Sequence, residues 1–333
     1  MSESRYQMPR RLTCQDGSPR RVGVEIEMSG IELPVVAEQL VAAYGGTIDC
    51  ASKYEFRVNG SALGDFKVEL DFEYLQKLGR EKGASDSDWL REFEQLAADA
   101  IQALMKNLIP CELVAPPLPF AQLAELDAIV DRLRRHGANG TRHALLSAFG
   151  VHLNPELPDM EAETILAYLR AFVCLRAWLE EREDIVFSRK LSPFIRSYPG
   201  EYENLILEKN YAPSLKQLIG DYLDHNPTRN RMLDMLPMFA FLDEERVVEA
   251  VSGQKLHKRP TLHYRLPNCD IDSPDWGIWR SWNDWQHVES LASDESRLRA
   301  VCEAYRRSCA SGYFSLEYHS WKEDVRQWLT DPS

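Results

Sequence analysis

Residues 20–30 read RRVGVEIEMSG, and charged and apolar side chains alternate along this stretch. In a β-strand, residues two apart point to the same side, so Glu25 and Glu27 share one face. The aliphatic side chains on the other face are Val24, Ile26 and Met28. For a single strand, an antiparallel sheet with one dry face and one wet face is a sufficient explanation.

The same alternation returns at several distant places in the chain. It occurs in FKVELDF (66–72), PCELV (110–114), GVHLNP (150–155) and TLHYRL (261–266). The polar residues that it places together are Lys67, Glu69, Asp71, Glu112, His152, Asn154, His263 and Arg265. One antiparallel sheet built from these strands would carry its chemistry on a single face, opposite the face that helices cover.

That polar face is rich in carboxylates, which repel one another unless a cation lies among them. Hard divalent ions such as Mg²⁺ take oxygen ligands from carboxylates and from substrate phosphates, and two such ions can neutralise phosphates during phosphoryl transfer. Zinc is less favoured, because none of these strands contains more than one histidine. The pattern therefore favours a nucleotide-dependent enzyme.

The rest of the chain alternates strand and helix patterns, which predicts an α+β fold with helices on the outer face of an antiparallel sheet. The predicted helices occupy residues 35–46, 87–108, 121–137 and 160–184, and residues 190–255 are mostly helical. We expect a polar tail at 1–19 and one catalytic domain at 20–333. Its parts are sheet elements at 20–157 and 259–268, a helical insertion at 158–258 and C-terminal helices at 269–333.

The composition of the chain narrows the classes of protein to which it can belong. The 333 residues are 44% hydrophobic and have a formal net charge of −13, which disfavours nucleic acid as a partner. The seven cysteines contain no C-x-x-C pair, and no uninterrupted apolar stretch has membrane-spanning length. We expect a soluble, cytoplasmic protein that binds no membrane. Motifs of the P-loop, the Rossmann fold and the α/β-hydrolases are missing from the sequence.

Five of these segments, taken in order, resemble the amidoligases of the glutamine synthetase and glutamate–cysteine ligase superfamily. They are VGVEIEM, FKVELD, CELVAPPL, GVHLNPEL and TLHYRLP, which together span roughly residues 20–266. The resemblance implies a curved antiparallel sheet of the glutamine synthetase type that binds ATP and two or three Mg²⁺ ions, with Mn²⁺ as an alternative. It also implies a ligase that phosphorylates a carboxylate and lets an amine attack the acyl phosphate.

The resemblance assigns roles to positions of this chain. Glu25, Glu27 and Glu112 correspond to metal ligands, and His152, with Asn154 beside it, to a neighbour of the nucleotide phosphates or a metal. Arg265 corresponds to an arginine that faces phosphate. Glu69 or Asp71 corresponds to a residue at the metal or amine site, where it would deprotonate the amine. Lys67, on the same face, is a further candidate for nucleotide binding.

One position departs from the family pattern, in which a glutamate lies two residues before the arginine of the last strand. This chain has His263 there. Either His263 replaces the carboxylate as a nitrogen ligand or hydrogen-bond donor, or the site holds fewer ions. Separately, Arg189, Lys190 and Arg196 form a basic loop that suits a clamp for phosphate or carboxylate, with a solvated surface loop as the simpler alternative.

The leading prediction is thus an ATP- and Mg²⁺-dependent carboxylate–amine ligase that acts on small-molecule or peptide acids and amines. The alternatives are another ATP-dependent phosphotransferase on a related sheet, or a binding module without activity. The tryptophan-rich C-terminal region is compatible with a single chain and with a homo-oligomer.

Overall fold

The computed structural model describes residues 5–70, 110–142, 149–185, 195–251, 256–308, 321 and 323–329. The strands are β1 (Arg21–Met28), β2 (Thr47–Ser52), β3 (Glu55–Ser61), β4 (Gly64–Leu70), β5 (Cys111–Val114), β6 (Leu118–Pro119) and β7 (Val151–Pro155). The α-helices are α1 (Leu33–Tyr44), α2 (Asp127–Arg135), α3 (Ala162–Arg182), α4 (Gly200–Ile206), α5 (Leu215–His225), α6 (Leu236–Leu242), α7 (Glu244–Ala250), α8 (Ile278–Ala292) and α9 (Glu295–Ser308). Two 3₁₀ helices span Phe120–Leu126 and Val325–Trp328. The fold is therefore mixed α+β.

The strands of the described residues form one antiparallel sheet, and β1 lies in its interior. Ile26 of β1 pairs with Leu113 of β5 on one side and with Val151 of β7 on the other. Beyond β5 the order continues through β4 and β3 to β2 at the edge. Short β6 pairs with the first residues of β1, along the same side as β5. The stretch that contains Glu25 and Glu27 is thus enclosed by strands on both sides.

The register places like residues in rows across the sheet. Glu69, Glu112 and Glu27 are directly paired partners on β4, β5 and β1. One residue along, the row consists of Val68, Leu113, Ile26 and Val151, each at most 1% exposed. The alternation in the sequence therefore predicted the two faces correctly for the strands described.

Helices contact the apolar face of the sheet. Tyr44 at the end of α1 stacks on Phe66 of β4, with ring centroids 5.6 Å apart. Farther along, Tyr264 contacts Phe172 of α3 and Trp285 of α8. These contacts confirm the prediction that helices cover the side of the sheet opposite the carboxylates.

The segment predicted as a last strand at 259–268 is not a continuous strand. It runs beside β7 through isolated bridges, one of which joins Leu153 and Tyr264. Pro260 and Pro267 lack the N–H that a ladder needs, which explains why the pairing is interrupted. The alternation nevertheless persists: Leu262, Tyr264 and Leu266 are fully buried among apolar residues.

Other predicted elements differ from the structure at their boundaries or in type. The stretch at 121–137 divides into a 3₁₀ helix and α2, and the helix predicted at 160–184 is α3. The edge strand β2 was missed, because TIDCAS is exposed on both faces and shows no buried side. The helix predicted at 87–108 lies outside the described residues.

No helix of the described part is long and apolar enough to cross a membrane.

Residues 5–19, predicted as a polar tail, contact the C-terminal helices. The Trp282 indole donates a hydrogen bond to the Gln7 carbonyl, 2.7 Å away. Tyr6 is 4% exposed and donates its hydroxyl proton to Asp127. The N-terminal segment therefore packs against α8 and α2.

A buried ion pair joins the start of the sheet to α8. Both terminal nitrogens of Arg20 reach Glu289, at 3.0 and 2.7 Å, and both side chains are almost fully buried. The Tyr168 hydroxyl donates a further hydrogen bond to Glu289, 2.5 Å away. Removing one member of such a pair leaves the other charge buried without a partner.

We expect Arg20→Met to lower the free energy of unfolding by about 3–5 kcal/mol, because Glu289 would remain buried and charged. Urea denaturation measures the change. The control is Arg21→Met, which alters the exposed neighbour and should cost no more than about 0.5 kcal/mol. Equal effects of the two substitutions would show that the buried pair contributes no special stability.

Candidate active site

Glu25 is at the centre of the polar face, where its carboxylate is buried and shared among several partners. Its Oε2 accepts a hydrogen bond from His152 Nδ1 at 2.8 Å, and its Oε1 accepts one from Asn154 at 3.0 Å. The Arg259 guanidinium lies 3.0 Å from Oε1 and also donates to Asn154. The strand register explains the first contact, because Glu25 and His152 are directly paired.

Glu27 lies two residues farther along β1, on the same face of the sheet as Glu25. Its Oε2 accepts a hydrogen bond from the backbone N–H of Gly150 at 2.6 Å. Its Oε1 lies 3.5 Å from Nε2 of His152, and Glu112 is its directly paired partner on β5. One imidazole therefore lies between the two glutamates of the opening motif.

His263 reaches the same place from the segment beside β7. Its Nε2 is 3.7 Å from Oε2 of Glu25, and its Nδ1 is 3.4 Å from Oδ2 of Asp234. The rings of His152 and His263 are 5.2 Å apart and nearly perpendicular. Asp234 is held in turn by the backbone N–H of Leu236, which donates to Oδ1.

The surroundings shift the pKa values of these groups. Burial acts to raise the pKa of Glu25, but the charge of Arg259 and the hydrogen bond from His152 outweigh it and hold that pKa well below its ordinary value. Burial likewise opposes ionisation of Asp234, yet His263, Arg229 and Arg265 lower its pKa. Burial lowers the pKa of His263 and outweighs its two carboxylate neighbours. The site thus combines ionised carboxylates with a neutral imidazole at His263.

A neutral imidazole carries one N–H, so one nitrogen of His263 donates and the other accepts. If Nδ1 of His263 donates to Asp234, Nε2 presents its lone pair toward Glu25. If Nδ1 of His152 donates to Glu25, its Nε2 faces Glu27. Carboxylate-to-imidazole contacts of this kind orient a histidine whose other nitrogen binds a metal.

Two groups of side chains in the described residues have the spacing of metal ligands. One consists of Glu25, His152 and His263, and the other of Glu27, Glu112 and His152; in each group the ligand atoms lie within 4.8 Å of one another. The buried Nε2 of His263 has no hydrogen-bond partner among the described residues. A cation beside it would satisfy that lone pair, so the residues fit a metal ion.

Arginines border the acidic face near Asp234. Arg265 donates to the backbone carbonyl of Arg229, 2.8 Å away, and both of their charges act on Asp234. Arg231 is 9% exposed and lies near Arg196, whose charge helps burial to lower the pKa of Arg231. Guanidinium groups beside a cation site fit the phosphates of a nucleotide.

The outcome for the other predicted residues varies. Lys67 and Glu69 form an ion pair of 2.7 Å on β4, and Glu69 continues the row of Glu112 and Glu27. Arg196 is exposed and pairs through its backbone with Arg231. Asp71, Arg189 and Lys190 lie outside the described residues.

Two residues of the site were missed in the sequence. Arg259 precedes the last alternating segment, and its only signal was a basic residue next to TLHYRL. Asp234 lies in a Met- and Leu-rich stretch within the predicted helical insertion, and an isolated acid among those residues is the available clue. Arg229 and Arg231 are not among the residues predicted for the site, and the structure adds both of them to its border.

Comparison with known protein families agrees with the resemblance found in the sequence. The model of a family described as "Putative amidoligase enzyme" matches residues 18–287. The chain belongs to this amidoligase family. Neither the curated proteins nor the solved structures provide a match. Family membership supports a ligase that forms amide bonds, and the matched range contains every described residue of the site.

We expect the metal-free amidoligase to lose stability as the pH falls from about 7 to about 5. The unfolded chain protonates His263 near its ordinary pKa of 6.5, whereas the folded chain resists protonation until lower pH. Glu25 and Asp234 add to the loss only at lower pH, because their folded pKa values lie below the ordinary ones.

His263→Gln should flatten this part of the profile by up to about 1.4 kcal/mol per pH unit. Chemical denaturation in the presence of a chelator, repeated at several pH values, measures it. A variant profile parallel to that of the original protein would contradict the assignment of His263.

Proposed function

We propose that this amidoligase is an ATP- and Mg²⁺-dependent carboxylate–amine ligase that forms an amide, γ-glutamyl or peptide-like bond. The observation that carries the proposal is the shared polar face, where Glu25, Glu27, Glu112, His152 and His263 converge next to arginines. An acidic row alone would bind cations. Its combination with guanidinium groups supports a site for metal-bound phosphates.

In this proposal the metal is held by the carboxylates and imidazoles of the two ligand groups. When bound, Mg²⁺ would neutralise the charge on the phosphate oxygens. Arg265 and Arg231 would face those phosphates, with Arg196, Arg189 and Lys190 as the outer clamp. Asn154 would keep the Glu25 carboxylate oriented through the hydrogen bond described above.

The reaction has two steps. An oxygen of the acid substrate attacks the terminal phosphorus of ATP, the bond to ADP breaks, and an acyl phosphate forms. The amine nitrogen then attacks the acyl carbon, inorganic phosphate leaves, and the nitrogen loses a proton. The first step makes an unreactive carboxylate into a good acyl donor.

Glu69 or Asp71 would accept the proton of the amine. Glu69 is 27% exposed in its side chain, so an incoming substrate can reach it. Its ion pair with Lys67 keeps a positive charge near the acid row, where nucleotide phosphate would add negative charge. A glutamine synthetase-like form of the fold belongs to this proposal as well.

The full chain should release ADP from Mg-ATP only when an acid and an amine are both present. Pools of amino acids, dicarboxylates and amines serve as substrates, with ADP measured by a coupled assay and the product by mass spectrometry. ADP release without any amine would favour a phosphotransferase and contradict the ligase. ADP release under no condition would contradict an active enzyme.

Glu27→Gln should lower the rate of ADP release at least about 10-fold, because it removes a charge from one ligand group. Glu163→Gln is the matched control: Glu163 lies exposed in the first turn of α3, and this substitution should leave the rate unchanged. Equal rates for both variants would contradict the role of Glu27.

A further inference from the structure

His263 has one well-defined partner and one unsatisfied nitrogen. The residue is 2% exposed, and its Nδ1 lies 3.4 Å from the fully buried Asp234. Its backbone carbonyl also accepts a hydrogen bond from the Asp234 N–H, 2.9 Å away. These contacts fix the ring so that Nε2 points toward Glu25.

The contact between Nε2 and Glu25 is too long for a hydrogen bond. The 3.7 Å distance to Oε2 joins a lone pair to a negative oxygen once Nδ1 carries the proton. Two facing electron donors in a buried site are unfavourable without a cation between them.

The chemical nature of the donors decides which cation fits. Glu25, His152 and His263 offer two imidazole nitrogens and one carboxylate oxygen. Mg²⁺ strongly prefers oxygen ligands, whereas Mn²⁺, Fe²⁺, Co²⁺ and Zn²⁺ accept imidazole. In contrast, Glu27, Glu112 and His152 offer two carboxylates and one nitrogen, which is closer to what Mg²⁺ accepts.

We propose that the cation site of Glu25, His152 and His263 selects a divalent first-row transition ion over Mg²⁺, with Asp234 as the positioning residue that orients His263. This deepens the proposed function of the same site and rests on it only for the use of the ion in catalysis. Because Nδ1 of His152 donates a hydrogen bond to Glu25, this ring has one nitrogen for a metal; it would bind this ion and leave Glu27 and Glu112 for a second one.

Arg259 limits how the ion can bind. Its guanidinium occupies Oε1 of Glu25 at 3.0 Å, together with Asn154, so Oε2 is the oxygen left to face the imidazoles. Glu25 therefore binds the ion through one oxygen. A site with one available carboxylate oxygen and two nitrogens departs further from the oxygen-rich surroundings that Mg²⁺ requires.

The test uses Mn²⁺ as the probe on the full chain, after chelation and without ATP. Less than one equivalent of Mn²⁺ is added, and electron spin echo spectroscopy counts the coupled ¹⁴N nuclei. We expect two imidazole nitrogens, and we expect Mg²⁺ in about hundredfold excess to leave them in place. Fewer than two coupled nitrogens, or release of Mn²⁺ by that excess of Mg²⁺, would overturn the proposal.

Two substitutions address His263 directly. His263→Gln should reduce the coupled nitrogens from two to one and weaken Mn²⁺ binding at least about 10-fold. Asp234→Asn, which keeps the size of the positioning residue, should weaken binding by about 10- to 100-fold with both nitrogens still coupled. His136→Gln alters an exposed histidine at the end of α2 and should change neither reading.

Circular dichroism and urea denaturation establish that each variant is folded before its binding is compared. If a variant does not fold, the nitrogen count and the Mg²⁺ competition on the unaltered chain still decide the question. Binding of Mn²⁺ through two nitrogens, without ADP release on any substrate, would support this metal site while contradicting the ligase. ADP release with a single coupled nitrogen would do the reverse.

Discussion

The buried negative charge of Glu25 is the constraint on which the site depends. A carboxylate removed from water is costly unless it is paired and hydrogen-bonded. Glu25 meets this requirement with Arg259, Asn154 and an imidazole, and these come from different parts of the chain. The fold must bring β1, β7 and the segment before His263 together, because the Glu25 carboxylate would otherwise be buried without partners.

The position of β1 inside the sheet makes this arrangement possible. An edge strand would present its polar residues next to a neighbour on one side only. Because β1 has β5 on one side and β7 on the other, Glu27 aligns with Glu112 while Glu25 aligns with His152. A shift of the register by one residue would turn these side chains to the apolar face, where Ile26 and Val24 are packed. Burial of the aliphatic row thus fixes the geometry of the acids.

Much of this could be predicted from the sequence, because alternation is a local property of a strand. It identified the face of Glu25, Glu27, Glu112 and His152 and the apolar character of the opposite face. It contains no information on which strands are neighbours, so the pairing of Glu27 with Glu112 and of Glu25 with His152 could not be predicted. Asp234 and Arg259 could not be found in this way, since each acts from irregular backbone whose direction depends on tertiary contacts. The interrupted pairing of 259–268 has the same origin, with prolines at both ends of the alternating core.

A histidine at position 263, where the resemblance predicts a glutamate, changes the charge of the site as well as the type of ligand it offers. A glutamate there would add a negative charge beside Glu25 and Asp234, both of which are already buried. A neutral imidazole removes that repulsion and gives Asp234 a proton to accept. A bound cation would then be balanced by fewer negative charges, so donation from the imidazole nitrogens would have to replace part of the lost electrostatic attraction. Ions that form strong bonds to nitrogen gain most from this exchange, and Mg²⁺ gains least.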